Sequence, residues 1–137
     1  MPHASPKEVA IQWFEQVWNA TDKTAIARLL APEGIGYLEG GLVVRGEAEF
    51  NAFHDQLLAG IPDLKIRILR AVGDDTQACV HWEATGTHKG NLMGAEASHR
   101  PLQFTGMSFM HVRDGRILEG WDSWNQGAVM AALTAPA

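Results

Sequence analysis

The sequence predicts an α+β fold in which helices come first and an antiparallel sheet follows. Up to residue 60 the apolar residues recur at the three- and four-residue spacing of amphipathic helices. Beyond Leu64 they alternate with polar residues, as they do in half-buried strands. Asp114-Gly115 joins two alternating segments and is typical of a tight hairpin turn. Helices followed by a meander of strands favour α+β over a parallel α/β sheet.

Three helices are expected in the first half of the chain. The first begins at the capping box Ser5-Pro6-Lys7-Glu8 and ends at Asn19. Asp22 can cap a second, shorter helix, which the Ala31-Pro32 pair ends. A third runs from near Glu47 to Gly60. The glycine-rich stretch 34–46 between them indicates a short hairpin or two strand fragments.

Four strands and a last helix are expected in the second half. The strands span residues 64–68, 78–88, 102–112 and 116–125, and the helix spans 126–133. The sequence contains no internal repeat, linker or low-complexity segment. We therefore expect a single domain over residues 1–137, a common domain size.

Composition excludes several classes of partner. The net charge of −5 and the lack of a basic run argue against nucleic acid. No apolar run reaches the roughly 20 residues that span a bilayer, and the N-terminus lacks the apolar stretch of a secretory signal, so we expect a cytoplasmic protein without membrane contact. Scattered histidines, a single cysteine and no phosphate-binding glycine loop predict neither metal nor cofactor.

Four segments carry a family resemblance that covers nearly the whole chain: VWNATDKTAIARLLAPE, VVRGEAEFNAFHDQLLAGIPDLKI, HWEATGTHKGNLMG and RPLQFTGMSFMHVRDGRILEGWDSWNQ. Together they resemble the SnoaL-like polyketide cyclase family of the nuclear-transport-factor-like superfamily. The resemblance implies a cone-shaped barrel, formed by a strongly curved mixed or antiparallel sheet wrapped on the N-terminal helices, with a central pocket. It also implies a homodimer formed through the outer sheet face, where Trp82 and Trp121 would lie.

The same resemblance suggests a catalytic residue. Family cyclases close rings by an intramolecular aldol reaction without metal or organic cofactor, using a carboxylate near the end of the last strand. Asp122 in the segment GWDSW matches that position. The polar partners that the cyclases place on the neighbouring strand fall here on Thr105 and Met107.

Pairing the hairpin outward from Asp114-Gly115 predicts the surroundings of Asp122. Met107 then opposes Asp122, while Phe109 and Thr105 oppose Gly120 and Trp124. Since opposed residues share a face, the carboxylate is expected among apolar side chains. Such an environment raises the pKa of a carboxyl group and suits it to proton transfer near neutral pH. Asp122 could instead cap the last helix or pair with Arg100.

Two further candidates lie on the strand 78–88. Alternation puts His81 and Glu83 on a polar face, with Trp82 on the apolar one. If the polar face lines the pocket, both side chains converge on Asp122, as in the Arg-x-Asp arrangement of an epoxide hydrolase of the superfamily. The alternative is a strand face exposed to solvent.

The remaining candidates would bind substrate. Tyr37 could donate a hydrogen bond to an enolate oxygen or pack within a strand, and His54 could point into the pocket or satisfy a backbone group in the core. The pocket is expected to be shaped by the aromatic and methionine side chains Trp13, Trp18, Phe50, Met107, Phe109 and Trp124, with Thr105 nearby.

The leading hypothesis is a cofactor-independent acid/base enzyme acting on a hydrophobic, carbonyl-containing small molecule. It would remove a proton next to the carbonyl, leading to aldol closure or isomerisation, with Asp122 as acid/base assisted by His81 and Glu83. Two alternatives stay open. One is an enzyme of the epoxide hydrolase or hydroxylase type, and the other is a non-catalytic, dimeric module that binds small ligands.

Overall fold

One curved sheet wraps around a layer of helices in the computed structural model, which describes residues 3–136. The helices are α1 (Pro6–Gln12), continued by a π-helix (Trp13–Asn19), α2 (Lys23–Leu29), α3 (Gly46–Gly60) and α4 (Gln126–Thr134). The strands are β1 (Leu30–Tyr37), β2 (Val43–Arg45), β3 (Lys65–Gly73), β4 (Gln77–Thr87), β5 (Pro101–Arg113) and β6 (Arg116–Trp124). A single 3-10 turn, Glu39–Gly41, separates β1 from β2.

The six strands form one mixed sheet in the order β2-β1-β6-β5-β4-β3. Strand β1 is parallel to β6, and the other neighbours are antiparallel. The glycine-rich stretch therefore contributes two antiparallel strands, one of the two arrangements that the sequence allowed. The α+β cone is confirmed, although its sheet is curved and open, with β2 and β3 as edges, rather than closed into a barrel.

The predicted caps determine where the helices begin. The Ser5 hydroxyl accepts a hydrogen bond from the Glu8 amide, and Asp22 accepts one from the Thr24 amide. Asn125 caps α4 in the same way through the Ala128 amide. Asn19, the expected end of the first helix, exchanges two hydrogen bonds with the backbone of Ile66 and so ties the π-helix to β3.

The core lies between the concave face of the sheet and the helices. On β4 the residues of even number, Ala78, Val80, Trp82 and Ala84, are buried in it, as the alternation of that strand indicates. The expectation that Trp82 lies on the outer face, where a dimer could form, is therefore wrong. Trp121 does lie on the outer face and is 38% exposed.

A β-bulge in the β5–β6 hairpin controls which side chains face the core. The turn residues Asp114 and Gly115 have φ of 52° and 77°, as the predicted tight turn requires. Val112 opposes Ile117, but His111 already opposes Glu119, so Leu118 has no partner. This extra residue shifts every β5–β6 pair beyond it by one position. Each β6 residue beyond the bulge is therefore paired with a β5 residue whose side chain lies on the face opposite to the one that unbulged pairing predicts.

Candidate functional site

An enclosed apolar cavity, here called the chamber, lies between the π-helix, α3 and the concave sheet face. Its volume is about 70 Å³. Aromatic rings make up much of its wall, and Ser108 and Asp122 supply its polar side chains. The residues that line it are Trp13, Phe14, Trp18, Phe50, Phe53, Leu57, Ile61, Leu64, Ile66, Trp82, Ala84, Leu92, Phe104, Ser108, Asp122, Trp124 and Val129.

A second space, here called the vestibule, adjoins the chamber at Asp122. It has a volume of about 210 Å³ and shares Phe53, Asp122 and Trp124 with the chamber. Its remaining walls come from the turn after β1, from the loop before β5 and from the start of α4. These residues are Leu38, Glu39, Gly40, Leu42, Met93 and Gln126. The carboxylate therefore stands where the inner and outer spaces meet.

Asp122 is held on the concave face by its pairing with Ser108. The Ser108 hydroxyl donates a 2.6 Å hydrogen bond to Asp122 Oδ1. Burial among apolar side chains raises the pKa of Asp122 from 3.8 to about 6, and the hydrogen bond from Ser108 opposes part of that rise. A carboxyl group with this pKa can both accept and return a proton near neutral pH.

The hydroxyl of Ser108 is itself oriented by a tryptophan. Ser108 is 1% exposed, and its Oγ accepts a 3.0 Å hydrogen bond from Trp82 Nε1. Because an indole N–H can only donate, this contact leaves the hydroxyl proton for Asp122. The Trp82 ring lies directly over Gly106, where a Cβ atom would come within 2.4 Å of the indole. A glycine at position 106 therefore permits the chain of hydrogen bonds in which Trp82 donates to Ser108 and Ser108 donates to Asp122.

Three residues expected beside Asp122 lie on the opposite face of the sheet. Met107 is 54% exposed, Phe109 is 40% exposed, and Thr105 is also exposed. Met107 was expected opposite Asp122 because strand pairs were counted outward from the turn without a bulge. Because Leu118 is bulged, Met107 instead opposes Ser123, and all three side chains point outward.

His81 and Glu83 also lie outside the chamber, which corrects the expectation that they converge on Asp122. They oppose Met107 and Thr105 and share the outer face with them. Glu83 accepts hydrogen bonds from Gln103 and Arg67, which lower its pKa. The apolar face of β4 is the one that faces the core, because burying Trp82 and Val80 stabilises the fold more than burying His and Glu.

Tyr37 is not a chamber residue either. Its ring stacks on Trp121 at a centroid distance of 5.3 Å, on the outer face of the sheet. Tyr37 opposes Trp121 in the parallel β1–β6 pair, which brings the two rings together. Of the two interpretations, the strand-packing aromatic is the one observed.

His54 is fully buried behind the chamber wall rather than exposed in it. Its Nε2 lies 2.7 Å from the Val17 carbonyl oxygen, and its Nδ1 lies 3.1 Å from Lys23 Nζ. The contacts assign Nε2–H as donor to the carbonyl and Nδ1 as acceptor. Burial lowers the pKa of His54, with a further contribution from the nearby Lys23 charge. His54 satisfies a backbone carbonyl near the end of the π-helix and is not a substrate ligand here.

Trp13, Trp18, Phe50 and Trp124 line the chamber as expected. Arg100 does not pair with Asp122, because its guanidinium group donates to the carbonyls of Ala132 and Ala135 at the end of α4. The sequence-based reasoning missed Ser108. Strand β5 alternates between a buried set that includes Ser108 and an exposed set that includes Met107, and only the structure shows which of the two sets is buried.

Among residues 3–136 no group of three or more His, Cys, Asp or Glu side chains could hold a metal ion. Over the same range, no helix is both long and apolar enough to cross a membrane.

Comparison with known proteins places the chain in a family. The family model described as SnoaL-like polyketide cyclase matches residues 8–133, so the chain belongs to that family. No curated protein sequence gave a significant match.

Solved structures of the same fold are numerous. A protein from Jannaschia sp. CCS1 assigned as a SnoaL-like polyketide cyclase superposes with a TM-score of 0.89 at 22% identity, over 100% of both chains. IdmH from Streptomyces antibioticus, assigned as a polyketide cyclase, gives 0.82 at 24% identity, over 97% of this chain and 100% of its own. AclR from Streptomyces galilaeus, assigned as a hydroxylase, gives 0.80 at 21% identity, over 93% and 80%. At these identities the comparison shows the shared fold.

Proposed function

We propose that the protein is a cofactor-independent acid/base enzyme that removes a proton next to the carbonyl of a small hydrophobic molecule. The observation that carries the proposal is the Asp122 carboxyl group, which is enclosed by aromatic rings, bonded to Ser108 and raised in pKa to about 6. The family model supports the same class of chemistry.

The proton would travel through Asp122 in both directions. The ionised carboxylate takes a proton from the carbon next to the carbonyl, which leaves an enolate. In aldol closure the enolate carbon then bonds to a second carbonyl carbon of the same molecule. The alkoxide formed there recovers the proton from Asp122. In isomerisation the proton returns to a different carbon, so both routes leave the enzyme unchanged.

Tryptophan indoles are the donors that we assign to the enolate oxygen, since neither Tyr37 nor His54 reaches the chamber. Within the described residues, Trp82 is the tryptophan whose indole N–H has a protein acceptor. The indoles of Trp13, Trp18 and Trp124 line the chamber with their N–H groups not committed to protein. A fixed donor in an apolar site stabilises developing negative charge more than it would in water.

The two spaces suit a substrate with a compact reactive end. The chamber of about 70 Å³ takes a small group next to Asp122, and the larger vestibule takes the rest of the molecule. In the epoxide hydrolase alternative Glu83 would act beside Asp122, but Glu83 lies on the outer face of the sheet, where it pairs with Arg67. Removal of a proton from carbon needs Asp122 alone.

Hydrogen exchange at carbon tests the proposal without knowledge of the natural substrate. A panel of hydrophobic ketones and 1,3-diketones would be incubated with the protein in D₂O, and deuterium incorporation followed by mass spectrometry. We expect Asp122→Asn to slow protein-catalysed exchange by about 100-fold or more. Glu83→Gln, a carboxylate change on the outer face, is the matched control and should leave it unchanged.

Two results would reject the catalytic proposal. One is exchange that is insensitive to Asp122→Asn. The other is ligand binding without exchange anywhere in the panel, which favours the alternative of a module that only binds small ligands.

We further propose that the protein is a homodimer that pairs through the outer face of the sheet. Phe109 and Trp121 have ring centroids 5.8 Å apart, and with exposed Met107 they form an apolar patch on that face. Light scattering should give twice the 15.0 kDa of one chain. Phe109→Asp should restore the monomer mass, whereas Val72→Asp, on the edge strand, should not. A monomer mass for the unchanged protein would refute the dimer.

A further inference from the structure

The charge of Asp122 has no counterion in the part of the chain that the structure describes. Its pKa is set by burial and by the neutral hydroxyl of Ser108, and it forms none of the salt bridges found there. No Lys, Arg or His of residues 3–136 lines the chamber or the vestibule. An ionised carboxylate in such a place is costly unless a positive charge accompanies it.

The vestibule adds to this negative character. Glu39 lines it together with Asp122, so the charged groups that face the two spaces are both carboxylates. Gln126 lies there as well, and its side-chain oxygen is buried without a hydrogen-bond partner. The carboxylates of Glu39 and Asp122 therefore face a ligand that approaches through the vestibule.

Besides the carboxylates, the aromatic wall of the chamber is the second feature that suits a cation. The rings of Trp13 and Phe50 are 4.8 Å apart and inclined by 60°, and Trp18 meets Phe50 edge to face at 73°. On the sheet side Trp124 lies 4.8 Å from Phe104. All five rings line the chamber, so aromatic side chains border it on both the helix side and the sheet side. The faces of aromatic rings carry partial negative charge and attract cations, most strongly those of tryptophan.

We propose that the chamber binds a compact organic cation, a tertiary or quaternary ammonium group, with its charge against Asp122 and its alkyl groups against the aromatic rings. The inference uses the same chamber as the proposed enzyme, but it does not depend on turnover. A ligand of this kind would compete with substrate for Asp122.

The chemistry of the walls selects among cations. A primary ammonium group needs three acceptors, and Ser108 Oγ already accepts a hydrogen bond from Trp82 Nε1, which leaves it one lone pair. A bare calcium or magnesium ion needs about six oxygen ligands, which one carboxylate and one hydroxyl do not provide. Alkylated ammonium groups need few hydrogen bonds and bury apolar surface, so they match the chamber best.

Choline and its neutral isostere 3,3-dimethylbutan-1-ol test the proposal, because they share shape and differ in charge. Isothermal titration calorimetry on the full chain at pH 8 should show choline binding at least about tenfold more tightly than the alcohol. Choline affinity should fall as the pH drops below about 6, where Asp122 becomes protonated. Glu39 in the vestibule is the other charged group that faces this site.

Variants separate the two halves of the site. Asp122→Asn should remove the preference for choline while retaining the alcohol, which also reports that the variant is folded. Trp18→Leu should weaken choline binding severalfold, whereas Trp121→Leu on the outer face should not. Equal affinity for choline and the alcohol, or no measurable choline binding, would overturn the proposal. If the protein bound choline but did not catalyse carbon exchange, the proposed enzyme would be rejected and the cation site would stand.

Discussion

Ser108 and Asp122 face each other across the β5–β6 pair, with the serine Oγ 2.6 Å from Asp122 Oδ1. The serine hydroxyl is in turn fixed by the Trp82 indole. The pair allows a carboxylate to sit in an apolar chamber with one oxygen partnered and its pKa still raised to about 6. The central feature of the site is therefore a balance between burial, which raises the pKa, and one hydrogen bond, which lowers it.

Ser108→Ala should shift that balance. Its hydroxyl stabilises the ionised form, so its loss should raise the pKa of Asp122 further and move the rise of kcat/KM to higher pH. Near pH 6 we expect a severalfold loss of carbon exchange that recovers as the pH increases. Ser123→Ala, on the outer face beside Asp122, is the control. A pH profile that does not move would contradict the assigned role of Ser108.

Asp122→Asn should stabilise the fold at neutral pH. A carboxyl group whose pKa rises on folding costs stability once it ionises, so the cost is present above about pH 6 and disappears below its unfolded pKa. The shift corresponds to roughly 2–3 kcal/mol. Denaturant unfolding at pH 8 and at pH 3.5 should show this gain only at the higher pH. An asparagine variant that is less stable at pH 8 would disagree with a half-buried carboxylate that has no counterion.

Gly106→Ala should disrupt the site from a distance. The added methyl group would come within 2.4 Å of the Trp82 ring, which must move and withdraw its N–H from Ser108. We expect a loss of about 1–3 kcal/mol in unfolding free energy together with reduced carbon exchange. Gly120→Ala on β6 is the matched control, because its methyl group meets nothing closer than 3.9 Å. Equal behaviour of the two variants would contradict the packing argument.

His54→Leu should affect stability and leave the chemistry intact. It removes the donor to the Val17 carbonyl, which stays buried near the end of the π-helix, and this should cost about 1–3 kcal/mol. Thermal unfolding checks the loss, and carbon exchange by the folded variant at low temperature should match that of the wild type. A large fall in carbon exchange without loss of stability would mean that His54 does take part in the reaction.

The element order, the helix caps and the α+β class could be predicted, because each depends on local signals such as Ser5, Asp22 and the Asp114-Gly115 turn. The position of Asp122 in the last strand was also within reach. The neighbours of Asp122 could not be predicted. Because Leu118 is unpaired, the residue opposite Asp122 is the inward-facing Ser108 and not the outward-facing Met107. The bulge adds one residue to β6 and bends that strand, and a count of pairs outward from the turn does not include it.

The face of β4 was misjudged for a different reason. His81 and Glu83 are attractive catalytic side chains, but the apolar set that contains Trp82 competes for the same burial and has more to gain from it. The pairing of Glu83 with Arg67 joins residues 16 positions apart, and it becomes visible only once the register of β3 and β4 is known.

The most direct test of the account is a carbon-13 NMR titration of the Asp122 carboxyl carbon, assigned by comparison with Asp122→Asn. A midpoint near pH 6 is the result that an enclosed carboxylate bonded to Ser108 predicts. A midpoint near the ordinary value of 3.8 would mean that the group is solvated, and it would contradict the proposed proton transfer by Asp122 near neutral pH.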